Sequence, residues 1–115
     1  MTPDQMRAIA LAIPGAEEGF SMGSAAFRVN GKLLVRLLAE DVMLTGIAYD
    51  EREVLLEAEP QVFHITPHYK DYPAVMARLE ALTPETLNSF LWRRWREIAR
   101  RSDVKAYDAI DRRGS

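Results

Sequence analysis

Cysteine is absent from the 115 residues. That excludes disulfides, thiolate nucleophiles and thiolate metal sites, and it fits the reducing cytoplasm, which is the expected location. Histidine occurs only twice. No apolar run reaches the roughly 20 residues that a membrane-spanning helix needs, so no membrane partner is expected. The opening "MTPDQMRAIA" is amphipathic with an early acid, unlike the basic-then-apolar pattern of a secretory signal. Phosphate-binding loops are missing too: neither G-x-x-x-x-G-K-[ST] nor G-x-G-x-x-G occurs. Ser21 and Ser24 lie in "GFSMGS", which lacks the G-x-S-x-G spacing of a nucleophile elbow. Glu17 and Glu18 are adjacent, which does not aim two carboxylates at one substrate. These absences predict a protein without cofactor, metal or catalytic residues.

A strong charge of one sign is also lacking, since the net charge is −2. The average hides an asymmetry. Residues 92–115 carry eight Lys/Arg against four Asp/Glu, and residues 1–91 carry seven against thirteen. Any nucleic-acid surface must therefore be local.

What is present describes one domain, since a chain of this length buries roughly two-thirds of its unfolded surface. Thr2-Pro3-Asp4 reads as an N-cap, an N1 proline and a first-turn acid. Met6, Ile9, Ala10 and Ile13 follow at helical spacing, so residues 3–13 are expected as a helix ended by Pro14-Gly15. The polar "GAEEGFSMGS" (15–24) reads as a loop. Asn30-Gly31 predicts a two-residue type I′ hairpin, with Phe27 and Val29 on one flank and Leu33, Val35 and Leu37 on the other. "AED" (39–41) turns into a third strand, 42–48. Asp50 and Glu53 predict a capping box opening a short helix whose buried side is Val54, Leu55 and Ala58. "QVFHI" and "AVMARLEAL" read as two further strands. Thr83-Pro84-Glu85 repeats the cap signature and opens a helix over about 84–100. The order α-β-β-β-α-β-β-α predicts a two-layer α+β fold with an antiparallel sheet of about five strands.

The segments "PGAEEGFSMGSAAFRVNGKLLVRL" and "TPHYKDYPAVMARLEAL", with the tryptophan-containing final helix, resemble the MmcQ/YjbR family of small bacterial proteins over roughly residues 2–100. The resemblance implies a YjbR-like domain over residues 1–101, similar in style to secretion chaperones. A C-terminal extension follows at 102–115, helical and then disordered. Members are commonly described as DNA-binding, and no catalytic residue comes with the resemblance. His64 stands where an apolar or aromatic residue is expected of the family.

Two groups of residues are candidate sites. On the last helix, Leu87, Phe90, Leu91, Trp95 and Ile98 form an apolar stripe, while Arg93, Arg96 and Arg100 share the opposite face. That row, with Lys32 at the hairpin tip, could meet DNA phosphates in a salt-dependent, sequence-independent way; a solvated face complementing the helix dipole is the plainer reading. Arg94 projects beside the stripe and is expected to snorkel or pair with an acid. The second group lies in "FHITPHYKDYPAV" (63–75). His64 and His68 have the i, i+4 spacing of a helical metal pair, but Pro67 removes the helix. In extended chain they stand about 13 Å apart. His68, Tyr69, Lys70 and Tyr72 could form a ligand-binding rim, or serve packing and hydrogen bonding in a turn. The expected function is a non-enzymatic cytoplasmic binding protein, engaging DNA through the arginine row. The alternative is a protein-interaction or chaperone-like module that uses a sheet edge or an apolar surface.

Overall fold

The computed structural model describes the backbone of residues 1–114 and the side chains of residues 1–110. The expected two-layer α+β class is what forms. The elements run α1 (Pro3–Leu11), β1 (Glu17–Ser21), β2 (Ser24–Val29), β3 (Lys32–Leu38), β4 (Asp41–Thr45), α2 (Tyr49–Ala58), β5 (Phe63–His64), β6 (Ala74–Arg78), α3 (Pro84–Ile98) and α4 (Arg101–Gly114). All strand pairs are antiparallel, in the order β1-β2-β3-β4-β6-β5. The sheet thus has six strands, and the sixth comes from the segment expected as a loop.

That added strand is β1. "EEGFS" pairs with β2 from Glu17↔Arg28 to Ser21↔Ser24 across a two-residue turn, Met22-Gly23. Both turn residues have positive φ, 53° and 81°, the geometry of a type I′ hairpin. Methionine is not a turn former, so the signal is weak in sequence. The Asn30-Gly31 turn forms as expected, at φ 54° and 74°.

The helices cover one face of the sheet. Met6, Ala10 and Ile13 from the α1 region join Leu87, Leu91, Trp95 and Ile98 of α3 against Phe27, Val35, Leu44, Phe63 and Val75. Burying an aliphatic or aromatic side chain contributes about 1.5–3 kcal/mol, so this layer supplies most of the driving force. The buried Trp95 ring keeps its polar handle satisfied, because Nε1 donates to Pro14 O at 3.0 Å. On the opposite face Met43, Ala74 and Met76 form a smaller cluster with Leu33, Leu38 and Tyr69.

Leu33 belongs to that second cluster, against the expectation that it shares a face with Val35 and Leu37. Phe27 pairs with Val35 and Arg28 with Leu33, so one extra residue enters β3 between them. A β-bulge shifts the alternation by one, and every residue beyond it changes face. The carbonyl of Leu33 is satisfied by Arg94 Nε at 3.2 Å.

Helix boundaries follow their caps where the cap is a threonine. Thr2 and Gln5 form a full capping box, and Thr83 Oγ1 accepts from Thr86 N at 3.2 Å. The Asp50–Glu53 box does not form. The N-cap of α2 is Ala48, one turn's edge earlier, and Asp50 accepts only from the neighbouring Glu51 N. The buried residue of α2 is Arg52, while Val54 is 63% exposed and Ala58 is also at the surface. The helix expected over about 84–100, α3, stops at Ile98, because Ala99 is extended at ψ 157°. Asn30 Nδ2 caps the Ile98 carbonyl at 3.1 Å, tying the hairpin tip to the end of α3. The expected strands of 42–48, "QVFHI" and "AVMARLEAL" are all shorter than read. Arg101–Gly114 is helical, and the end expected to be disordered runs past the described residues.

Candidate functional site

The 65–73 turn is built around two buried arginines. Arg52, 6% exposed, donates from Nη2 to Lys70 O at 2.6 Å. Its Nη1 lies 2.9 Å from Tyr72 O, 3.2 Å from Ala74 O and 3.5 Å from Tyr69 O. Tyr69 O and Tyr72 O also accept from Tyr72 N and Ala74 N within the turn, but Pro67 and Pro73 interrupt any ladder here, so Lys70 O and Ala74 O need a donor from elsewhere. A guanidinium presents five N–H groups in a planar fork and suits the task. Tyr49, also on α2, adds a bond from its hydroxyl to Asp71 O at 2.7 Å. Its ring lies 4.9 Å beneath the Arg52 guanidinium.

Arg36 holds the same turn from the sheet. It is 5% exposed and belongs to the cross-strand row Ala26–Arg36–Met43–Met76–His64. Its Nη1 donates to Tyr69 Oη at 3.0 Å, and Nη2 donates to Ser21 O and Ser24 Oγ. Tyr69 therefore lies over Met43 and Met76 with its hydroxyl pinned. Neither arginine meets a carboxylate among the described residues. Of the expected rim, Tyr69 is half-buried and committed to this network, while His68, Lys70 and Tyr72 are exposed. His68 packs edge-on against Tyr69 with ring centroids 4.7 Å apart. The four residues are neighbours, but their carbonyls and rings already serve the turn.

His64 and His68 do not come together as a pair. His64 Nε2 lies 3.2 Å from Asp41 Oδ1, out of line for a hydrogen bond. The two residues border a cavity of about 580 Å³ at the end of the sheet, with Arg78, Glu40 and Glu80. No three His, Asp or Glu side chains among the described residues converge as metal ligands. The proximity of His64 to Asp41 arises from sheet register alone, across β6, and nothing in the linear spacing announces it.

Each arginine of the expected phosphate row already faces a carboxylate. Arg93 forms a bidentate pair with Glu51 at 2.7 and 3.0 Å. Arg96 pairs with Asp108 of α4 at 2.9 Å. Arg100 pairs with Asp103 at 2.9 Å, which raises its pKa further through the hydrogen bond and the charge of that acid. Arg100 lies beyond the end of α3, between the two helices, so the row is not one helix face. Lys32 is exposed at the hairpin. Arg94 behaves as expected of it, half-buried and 3.6 Å from Glu97.

Edge strand β1 is the surface the sequence did not announce. Phe20 is 78% exposed and Met22 83%. Glu17 and Glu18 point to opposite faces of the strand, and Glu18 pairs with Arg7 of α1 at 2.9 Å. In a two-residue hairpin closed by Ser21 and Ser24, ladder alternation turns the backbone N–H and C=O of Glu18 and Phe20 away from β2. The opposite edge, β5, is two residues long. No helix among the described residues is long and apolar enough to cross a membrane.

Comparison with protein-family models, with curated proteins and with solved structures finds no match for this chain. The likeness to the MmcQ/YjbR family therefore stands on the residues quoted for it.

Proposed function

We propose that this chain is a non-enzymatic protein-interaction module that takes an extended segment of a partner protein onto β1 as a seventh strand. The observation that carries the reading is Met22. It occupies a positive-φ turn position and is almost fully exposed. Glycine or asparagine would fit that backbone with less strain, so the thioether adds nothing to the fold. Next to it, Phe20 exposes its ring on a strand whose outer backbone groups are unpaired. Strand addition uses such an edge, with main-chain bonds for affinity and alternate side chains for specificity. Natural edges are usually blunted by charged side chains, lysine above all, by proline or by a bulge; the charges of β1, Glu17 and Glu18, lie at its start, and Phe20 and Ser21 carry no such guard. Glu17, exposed on the face opposite Phe20, complements a segment that alternates basic and apolar residues. The Ser24 hydroxyl is locked by Arg36, which supports the non-enzymatic part.

The DNA reading has the arginines as its support, but phosphates would have to displace Glu51, Asp108 and Asp103. Two measurements separate the readings. A random peptide library displayed against the immobilised protein should enrich alternating basic–apolar sequences, and NMR shift changes should centre on residues 17–22. Phe20→Ser with Met22→Ser should abolish that binding and leave the fold intact. Peptides that map elsewhere, or that bind the double variant equally, would sink the proposal. A 20-base-pair duplex bound at low salt and lost in Arg93→Ala with Arg96→Ala would favour DNA instead.

A further inference from the structure

A cleft of about 540 Å³ lies between the β2–β3 hairpin and α4. Val29, Trp95, Tyr107 and Ile110 line its walls, and Asn30, Arg100 and Asp103 supply its polar groups. The volume is within the range of sites that hold a small organic molecule, about 300–1,000 Å³, and apolar and polar groups share the lining. Ile110 is 68% exposed, so one wall is apolar surface left facing water.

Arg100 is the only cation lining the cleft among the described residues. Asp103 holds it through Nε at 2.9 Å and Nη2 at 3.4 Å. That contact takes one edge of the fork and leaves Nη1 without a partner among the described residues. Asp103 stands in the first turn of α4, where the positive end of the helix dipole offsets part of its charge. The Arg100 guanidinium is thus oriented, and its remaining edge is free for a planar acid. Asn30 uses its Nδ2 on the Ile98 carbonyl, which leaves its side-chain oxygen as an acceptor.

We infer that this cleft binds a small apolar carboxylate, an arylalkanoic or medium-chain fatty acid, with the carboxylate on Arg100 and the apolar body against Trp95, Tyr107 and Ile110. A phosphate is disfavoured, because a single exposed guanidinium beside an aspartate offers too little positive charge for a dianion. Neither Phe20 nor Met22 lines the cleft, and the inference does not depend on the proposed function.

The only two tryptophans report on the cleft. Trp95 lines it, and Trp92 lies 4.9 Å from the Tyr107 ring. The full chain is titrated with 3-phenylpropionate and octanoate, and in parallel with the neutral amide of each, while tryptophan fluorescence and ¹H–¹⁵N shifts are followed. Saturable binding of the acids is expected, with shifts at residues 29–30 and 103–110. The amides should bind about tenfold more weakly, the loss of one charge-assisted bond. Arg100→Gln, at an exposed position, should fold normally and lose the preference for acid over amide. Ala106→Leu, which fills the cleft from α4, should abolish binding of all four. No saturation up to about 10 mM, the weakest binding worth the name, overturns the inference. So does equal binding of acid and amide, or acid binding unchanged in Arg100→Gln.

Discussion

Replacing Arg52 by methionine is the sharpest test of how the 65–73 turn is held. Methionine keeps the apolar stem and deletes the guanidinium. Four bonds are then lost; Tyr69 O and Tyr72 O keep backbone donors in Tyr72 N and Ala74 N, while Lys70 O and Ala74 O are left without one among the described residues. A hydrogen bond to a charged group contributes about 1.5–3 kcal/mol, but the four are not additive. The 3.5 Å contact to Tyr69 O is nearly lost already, and water can reach the carbonyls at the exposed tip. Only the bond to Ala74 O is fully buried. The net loss should be about 3–4 kcal/mol, comparable to removing one partner of a buried polar network. With an m-value of about 1.5 kcal/mol/M in urea, the midpoint should fall by roughly 2 M. A domain's whole stability is only about 5–15 kcal/mol, so the variant will be visibly weakened. Arg52→Lys should recover no more than about half, because an ammonium is a point donor and cannot span the fork of carbonyls. Amide exchange should accelerate first at residues 69–74. A loss below about 1 kcal/mol in Arg52→Met, with exchange in the turn unchanged, would refute the account of Arg52 as its organising residue.

Three further substitutions probe the remaining elements. Gly46→Ala places a Cβ 2.7 Å from Glu97 Oε1 and 2.9 Å from Arg94 Nη1 at φ +71°; it should cost about 1–3 kcal/mol in thermal or urea unfolding. Met22→Asn should stabilise the protein by about 0.5–1 kcal/mol by relieving the positive-φ strain, and should weaken peptide binding at β1; a stabilised variant that binds equally well would separate the two roles. Arg93→Ala removes an ion pair whose partners are 47% and 35% exposed, and it should shift stability by less than about 1 kcal/mol. Arg93 and Arg52 are thus predicted to differ several-fold, because one is solvated and the other buried.

Much of the fold is legible where local chemistry and tertiary demand agree. Thr2-Pro3 and Thr83-Pro84 start helices because a hydroxyl cap and a fixed φ act within one turn of chain. Asn30-Gly31 makes its hairpin because both residues tolerate positive φ. The stripe from Leu87 to Ile98 is core because a helix repeats every 3.6 residues. Pro67 rules out a helical His64–His68 pair for the same local reason. The misread positions are those where a distant partner outweighs local preference. "EEGFS" has too few apolar residues to read as a strand, and it becomes β1 because β2 offers an unpaired edge. The bulge near Leu34 moves Leu33 to the other face, and no periodicity in "GKLLVRLL" marks where the extra residue enters.

The candidate sites divide along the same line. The identity of the arginines on the last helix is plain from spacing, but their partners Glu51, Asp108 and Asp103 come from other elements. Whether a guanidinium is free depends on those carboxylates, so only the folded chain decides it. Arg52 lies outside the expected buried side of α2, yet it is the buried residue of that helix, because the carbonyls of Lys70 and Ala74, in and beside a proline-broken turn far along the chain, take its donors. By itself the sequence determined the α+β class, the helix starts and one hairpin, since those follow from interactions within a few residues. Tertiary structure alone decided the sixth strand, the Arg93–Glu51 pair, the anchoring of Arg52 and the cleft beneath α4, since each requires groups that meet only when the sheet and its helices close.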